Sequence, residues 1–291
     1  MEHSDYPRSC REAGRISAEK QRLYRLLTQA NLILLALGAA IGFLGSIMDS
    51  NTVHLSRWGA ASIFLAVVVW LVLGFVHPDN EWFDARAVAE SLKTMTWRYM
   101  MKASPYGQEL TESEAKERFL EEMRQILQEK SKISAQMQCP EDQTEITTFM
   151  STARSSSFED RKGLYLEARV RDQKNWYNNK SMLNRSGSRR LFWIAFSLQV
   201  GAMGAAGFCI VCGGLDLSGL MVTLAALVMT WLQVQQNAYL AHSYGSAAQE
   251  FAIIEEKAVM VDSEVNLGVF VDQAELAASR EHTMWVSRNV F

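Results

Sequence analysis

Residues 191–212 read LFWIAFSLQVGAMGAAGFCIVC, and after four further residues the segment 217–232 reads LSGLMVTLAALVMTWL. Neither stretch contains a charged side chain. Each is about long enough to cross the ~30 Å hydrocarbon core of a bilayer. The short connection between them predicts an antiparallel membrane hairpin.

The first half of the chain has a second pair of such stretches, LILLALGAAIGFLGSIM at 32–48 and WGAASIFLAVVVWLVLGFV at 58–76. About thirty mostly polar residues precede this pair, and its two stretches follow each other closely, which favours retained helices over a signal peptide. The rest of the chain has helical periodicity and no convincing pair of strands. The predicted fold is an all-α membrane protein, with four transmembrane helices as two hairpins and a cytosolic helical bundle.

Lysine and arginine are distributed unevenly around the hairpins. Basic residues precede the first span, follow the second and precede the third, namely Arg8, Arg11, Arg15, Lys20, Arg22, Arg25, Arg86, Lys93, Arg98, Lys102, Arg185, Arg189 and Arg190. The two hairpin connections contain only Arg57. The positive-inside rule therefore predicts a multi-pass protein whose termini and long middle segment are cytoplasmic.

We divide the sequence into four segments. Residues 1–28 predict an N-terminal cytosolic helix, and 29–110 predict the first two-span hairpin with a returning amphipathic helix that begins at Pro78. Residues 111–160 predict a cytosolic helix and a linker. Residues 161–291 predict the second two-span hairpin with long flanking cytosolic helices.

Capping motifs predict where three cytosolic helices begin. Thr111-x-x-Glu114, Ser157-x-x-Asp160 and Asp272-x-x-Glu275 each place a capping side chain three residues before an acidic one. Residues 186–188, Ser-Gly-Ser, predict an interruption just before the third span.

Nothing in the sequence after Leu232 predicts a helix end, so we expect one helix from Leu217 to about Asn266, roughly 75 Å long. Its apolar residues alternate spacings of three and four, as in a coiled coil: Tyr244, Ala247, Phe251, Ile254, Ala258, Val261 and Val265. This stripe fits packing between subunits or a core within one subunit. We favour the first, because so small a membrane part needs neighbours to enclose a pathway.

The spans themselves contain small and polar residues. Gly38 and Gly42, and Gly201 and Gly204, permit close helix packing. Polar residues at membrane depth usually face protein or water, which makes Gln199, Thr223, Thr230, Gln233 and Asn237 candidates for lining a pore. Hydrogen bonding between helices without any pathway explains the same residues equally well.

Two cytosolic segments mix cations with aromatic rings, a combination that can hold phosphates and stack on bases. The ligand-binding candidates are Trp97, Arg98, Lys102, Lys174, Trp176, Lys180, Arg185, Arg189 and Arg190. Basic and aromatic residues beside a membrane also contact lipid headgroups, which is the competing interpretation.

The sequence contains no phosphate-binding glycine loop, no His-Glu-x-x-His and no Gly-x-Ser-x-Gly. Its five histidines are scattered, without the spacing of metal ligands. We therefore predict no catalytic residue, no metal site and no cofactor, and a protein that is not an enzyme.

Several segments resemble the SLATT domains, two-span bacterial effector domains associated with nucleotidyltransferases and nucleotide sensors. RAVAESLKTMTWRY at 86–99, followed by Ser104-Pro105-Tyr106, is similar to the helix after the family's hairpin. YLEARVRDQKNWY at 165–177 is similar to the helix before the hairpin, and EHTMW at 281–285 to the closing helix. The order of these segments around both hairpins indicates two tandem SLATT units.

The resemblance implies a pore-forming effector of the bacterial inner membrane that arrests the cell when phage is sensed. The tandem arrangement resembles the membrane effector of Hailong-type anti-phage defence. That resemblance implies a homo-oligomer, a tetramer, and a partner nucleotidyltransferase whose single-stranded DNA oligomers hold the channel shut. It transfers no ligand-binding residue to this chain.

Together these features predict an oligomeric, ion-conducting effector gated by a nucleotide or single-stranded oligonucleotide, opening to depolarise the membrane and arrest growth. The alternative is a non-conducting membrane scaffold that recruits a cytosolic partner.

Overall fold

The computed structural model describes residues 1–48, 52–141 and 143–288, without the side chains of residues 52, 53, 56 and 280–288. These ranges contain helices and connections and no strand, which confirms the all-α prediction. The four predicted spans lie in the long helices α1 (Arg8–Ile47), α2 (Thr52–Val76), α8 (Asp172–Cys212) and α9 (Ser218–Gln235). The other helices are α3 (Pro78–Met100), α4 (Glu112–Glu129), α5 (Ser131–Ser134), α6 (Thr148–Ser155), α7 (Phe158–Tyr165), α10 (Asn237–Lys257) and α11 (Glu264–Arg288).

The described helices form two compact units. The polar unit comprises Met1–Gln21, Asp79–Lys180 and Ser243–Phe291; the membrane unit comprises Arg22–Pro78 and Ser181–His242. The chain passes between the units four times, so each unit is built from discontinuous parts of the sequence. Continuous segmentation of the sequence could not reveal this assembly.

Two of the three predicted capping motifs begin helices. The Thr111 hydroxyl accepts a hydrogen bond from the Glu114 amide at the start of α4, and Ser157 does the same for Asp160 at the start of α7. The prediction for Asp272 is wrong, because α11 already begins at Glu264 and Asp272 lies within it.

The interruption predicted at residues 186–188 is also wrong, since α8 continues through them. Ser186 donates its hydroxyl hydrogen to the Leu183 carbonyl at 2.9 Å, a bond that an uninterrupted helix accommodates. The Asn237 side chain packs against the Cα of Gly187, where a Cβ would lie 3.4 Å from the amide nitrogen. The small residue therefore serves contact between helices.

The long helix expected after Leu217 is broken. Gln236 has a left-handed backbone with φ 48°, and its amide donates to the Gln233 carbonyl, which ends α9. The next helix, α10, ends at Lys257. The prediction failed because neither glycine nor proline marks the break at Gln236.

The same device occurs in the first half. His77 has φ 45° at the end of α2, and α3 begins at the next residue, Pro78, as predicted. Each second span thus ends on a left-handed residue that is not glycine, immediately before the returning helix. Such a backbone costs about 1–2 kcal/mol in a residue with a Cβ.

Small and polar residues join the two helices of the first hairpin. Asn31 donates its side-chain amide to the Ala66 carbonyl, and Ser62 its hydroxyl to the Leu34 carbonyl, both at 2.7 Å. A Cβ on Gly38 would lie 2.7 Å from Cγ1 of Ile63, so only glycine fits there unless Ile63 moves. This is the packing expected in lipid, where helices associate through close contact and hydrogen bonds.

In the second hairpin the Ser181 hydroxyl donates to the Ala241 carbonyl at 2.7 Å, and Gly201 makes room for the Met221 methyl group. Gly42 and Gly204 have open space where a Cβ would stand, so within the chain Gly38 and Gly201 have the packing role. In the first hairpin Gly38 therefore packs α1 against α2.

The apolar stripe of α10 belongs to the core of the polar unit. Tyr244, Phe251 and Ile254 are buried, while Val265, at its predicted end, is 74% exposed. The stripe therefore packs within one subunit, and the preference for packing between subunits was wrong. The bundle of the polar unit supplies enough apolar surface to cover it.

We expect Gly38→Val to destabilise the protein by about 1–3 kcal/mol, because the new side chain overlaps Ile63. Gly204→Val, in an equally apolar span, is the matched control and should cost much less. Thermal unfolding in detergent micelles measures both. Equal losses would contradict the assigned packing of Gly38.

We expect Gln236→Gly to stabilise the protein by about 1 kcal/mol, because glycine adopts φ 48° without steric strain. Gln233→Gly, inside α9, should instead cost about 1 kcal/mol. Opposite signs in the same unfolding assay would verify the break at Gln236; two losses would refute it.

Candidate functional site

The carboxylate of Glu275 lies at the centre of the polar unit and is 0% exposed. It accepts hydrogen bonds from Arg169 Nε at 2.9 Å and Nη2 at 2.6 Å, from the Tyr165 hydroxyl at 2.9 Å and from the Thr94 hydroxyl at 2.9 Å. These partners come from α3 and from the helical stretch before α8. One carboxylate thus joins three elements that are distant in sequence.

Arg169 lies in a π-helical turn, Leu166–Arg171, between α7 and α8. Such turns occur frequently at functional sites. Burial acts to lower the pKa of Arg169, but the adjacent Glu275 carboxylate raises it overall. The guanidinium of Arg169 donates two parallel hydrogen bonds to Glu275, the bidentate geometry of a charge-assisted pair.

Trp97 extends this cluster. Its indole NH donates to the Tyr6 hydroxyl at 3.2 Å, and its ring packs edge-on against Tyr165 with centroids 5.5 Å apart. Burial raises the pKa of Tyr6 to about 12. Trp97 is 0% exposed, so it is a core residue rather than the surface for base stacking that the sequence suggested.

A pocket of about 210 Å³ lies beside the network, and Thr94 contributes to both. Its polar lining includes Glu90, Ser91, Arg98, Tyr106, Glu122 and Ser279. The Tyr106 hydroxyl donates to Glu122 at 2.5 Å, and burial and this carboxylate raise the pKa of Tyr106. The pocket contains two carboxylates, Glu90 and Glu122, and one guanidinium, Arg98. This balance of charge does not suit a polyphosphate.

Arg98 is the predicted ligand residue that lines this pocket. Its Nε lies 3.4 Å from the Asp272 carboxylate, and neither atom has a hydrogen-bond partner among the described residues. Burial raises the pKa of Asp272, while Arg98 acts to lower it. The pair is a loose one beside an otherwise tightly bonded core.

The other ligand candidates have different surroundings. Lys174 and Arg171 both form ion pairs with Glu255. These two cations lower the pKa of the Glu255 carboxylate. Trp176 is 39% exposed, and the Lys180 ammonium lies 5.7 Å from its ring centroid. Lys102 has φ 52° just after α3. These residues are not brought together into one site.

Arg185, Arg189 and Arg190 belong to the membrane unit and are exposed. None of the three forms an ion pair among the described residues. Arg189 and Arg190 line an open groove on α8.

The pore candidates separate into two kinds. Thr223 and Thr230 donate to carbonyls of their own helix at 2.9 Å, and Asn237 is 8% exposed and donates to Gln235. These three need no partner outside the chain. The side chains of Gln199 and Gln233 are exposed and have no hydrogen-bond partner among the described residues.

Sequence reasoning missed the buried arginines. Arg154 donates to the carbonyls of Tyr99 at 2.7 Å and Tyr106 at 3.0 Å, and Arg161 donates to Ser156 at 3.0 Å and pairs with Glu264. Together with Arg169 they are spaced by seven and eight residues, a helical periodicity, although the structure distributes them over α6, α7 and the π-helical turn. That spacing was the available signal.

Two family matches cover most of the chain. Residues 7–162 match SMODS and SLOG-associating 2TM effector domain 3, and residues 165–285 match effector domain 1 of the same name. The chain is therefore a membrane effector of the SLATT kind. It belongs to the SLATT family, with two domains in tandem as the sequence motifs predicted.

No curated protein and no solved structure matches the chain. The motif at 281–285 has a helical backbone, but its side chains are outside the described part of the structure. The described residues contain no group of three potential metal ligands.

We expect Glu275→Gln to destabilise the polar unit by about 3–5 kcal/mol, because it leaves the buried Arg169 without a countercharge. Glu121→Gln, which breaks the exposed pair with Arg124, should have little effect, because solvent screens that pair. Hydrogen exchange of the purified protein in micelles measures both variants. A small loss for Glu275→Gln would show that the buried pair is dispensable.

Proposed function

We propose that the protein is an oligomeric, ion-conducting effector of bacterial anti-phage defence. It acts in the inner membrane with both termini in the cytoplasm, and its opening depolarises the membrane and arrests growth. The positive-inside distribution of arginines supports the orientation. Membership of the SLATT family supports the role in defence.

The observation that carries the proposal is the exposure of Gln199 and Gln233 on helices that can cross a membrane. Neither amide has a partner among the described residues. A polar side chain without a partner in lipid is costly, so such groups face protein or water. Further copies of the chain would surround these amides and enclose a polar, uncharged pathway.

Gating is assigned to a nucleotide or single-stranded oligonucleotide made by a partner nucleotidyltransferase. In the polar unit, Trp176 is exposed and the ammonium of Lys180 lies 5.7 Å from its ring centroid. The helix that contains them, α8, continues into the third span. A ligand that prefers one packing of this helix would shift the equilibrium between closed and open states. The Hailong resemblance supports a tetramer and a ligand that closes the channel.

We expect ion flux from liposomes that contain the purified protein, and suppression of that flux by short single-stranded DNA. Gln199→Leu should change the conductance, whereas Val200→Leu, the neighbouring exposed position, should leave it unaltered. Fluorescence of an encapsulated ion indicator measures both.

The alternative is a scaffold that recruits a cytosolic partner without conducting ions. No flux with or without DNA, from correctly oriented and assembled protein, would favour the scaffold. Ion flux that is the same with and without DNA would support a pore but contradict regulation by an oligonucleotide. Flux that appears only with DNA would make the ligand an activator.

A further inference from the structure

An open groove runs along one face of α8 in the membrane unit. Its wall contains Ser186, Arg189, Arg190, Trp193 and Ser197, at successive spacings of three, one, three and four residues, and Met221 of α9 adds to its inner end. The arginines lie at one end, and the lining beyond them is mostly apolar. The groove therefore has a cationic mouth and a hydrophobic interior.

The positive charge at the mouth is not compensated within the unit. The membrane unit contains six arginines, no lysine, no glutamate and two aspartates, Asp49 and Asp216. Asp216 belongs to the connection between α8 and α9, at the opposite end of the third span from Arg189 and Arg190, and Asp49 lies outside the described residues. Neither arginine pairs with a carboxylate among the described residues.

The groove has the length of one bilayer leaflet. Eleven residues separate Ser186 from Ser197, or about 17 Å of helix, close to half of a ~30 Å hydrocarbon core. Trp193, which is 55% exposed, lies one turn inside the arginines. An amphipathic ring commonly occupies this level at a membrane–water boundary.

The geometry points to a binding site for an anionic phospholipid in this groove. The guanidinium groups of Arg189 and Arg190 hold the phosphate and anionic headgroup, and an acyl chain lies along the apolar wall towards Met221. This role differs from the nucleic-acid role that the sequence suggested for these arginines. It depends only on insertion in a membrane and not on what the polar unit binds.

An oligonucleotide would use the same cations but not the rest of the groove. Its phosphates and bases gain nothing from the apolar side chains that line the groove beyond the arginines. The apolar interior therefore favours a lipid.

The test measures how brominated lipids quench Trp193 fluorescence in mixed micelles, taken as the difference between the full-length protein and Trp193→Phe. Brominated phosphatidylglycerol should quench at lower mole fraction than brominated phosphatidylcholine. Each arginine near an anionic surface contributes about 5-fold in affinity. The double variant Arg189→Gln with Arg190→Gln should therefore raise the mole fraction of brominated phosphatidylglycerol needed for quenching by roughly 30-fold. Added salt should reduce the preference.

Arg22→Gln with Arg25→Gln is the matched control, because it removes the same charge from the same unit outside the groove. This variant should leave the preference for phosphatidylglycerol over phosphatidylcholine within about 2-fold, because it leaves both arginines of the groove in place. Arg189→Lys with Arg190→Lys keeps both charges and should retain most of the preference.

Three results would overturn the proposal. One is equal quenching by the two lipids. Another is an equal loss in the two glutamine double variants, which would indicate general surface attraction. The third combines two observations: a short oligothymidylate displaces phosphatidylglycerol, and the variant Arg189→Gln with Arg190→Gln no longer binds that oligothymidylate. This result would assign the arginines to nucleic acid.

Discussion

The buried ion pair between Arg169 and Glu275 is the constraint on which the polar unit depends. Removing two charges from water costs several kcal/mol for each ion, and only close geometry with further hydrogen bonds offsets that cost. The Tyr165 and Thr94 hydroxyls supply those bonds to the same carboxylate. Any rearrangement of α3, α11 or the π-helical turn must therefore preserve the pair or replace it. Removing either partner would leave an uncompensated charge in the core, so the pair fixes how these elements pack.

The membrane unit is held together by different physics. Lipid provides no hydrophobic drive for one helix to join another, so contact depends on small residues and hydrogen bonds such as those of Asn31 and Ser62. These groups are satisfied inside the first hairpin. The side chains of Gln199 and Gln233 have no hydrogen-bond partner among the described residues. Polar groups of this kind at membrane depth usually face protein or water.

The tandem organisation repeats one backbone device. Each second span ends on a left-handed residue, His77 or Gln236, from which the returning helix starts. In each case the break occupies a single residue. It recurs at corresponding places in two different SLATT domains although histidine and glutamine share no chemistry, which indicates that the position in the domain, and not the residue type, determines it.

Composition and periodicity by themselves determined the helical fold and the four spans, and capping motifs determined the starts of α4 and α7, because each depends on local sequence. The tandem family relationship was available from the resemblance of short motifs to SLATT domains. Only the tertiary structure decided that Trp97 is buried, that Arg169 meets Glu275 and that the stripe on α10 packs within one subunit. Those outcomes depend on which helices face each other, and residues that are distant in sequence decide that. The break at Gln236 was likewise unpredictable, since a glutamine adopts that backbone only where its surroundings compensate the strain.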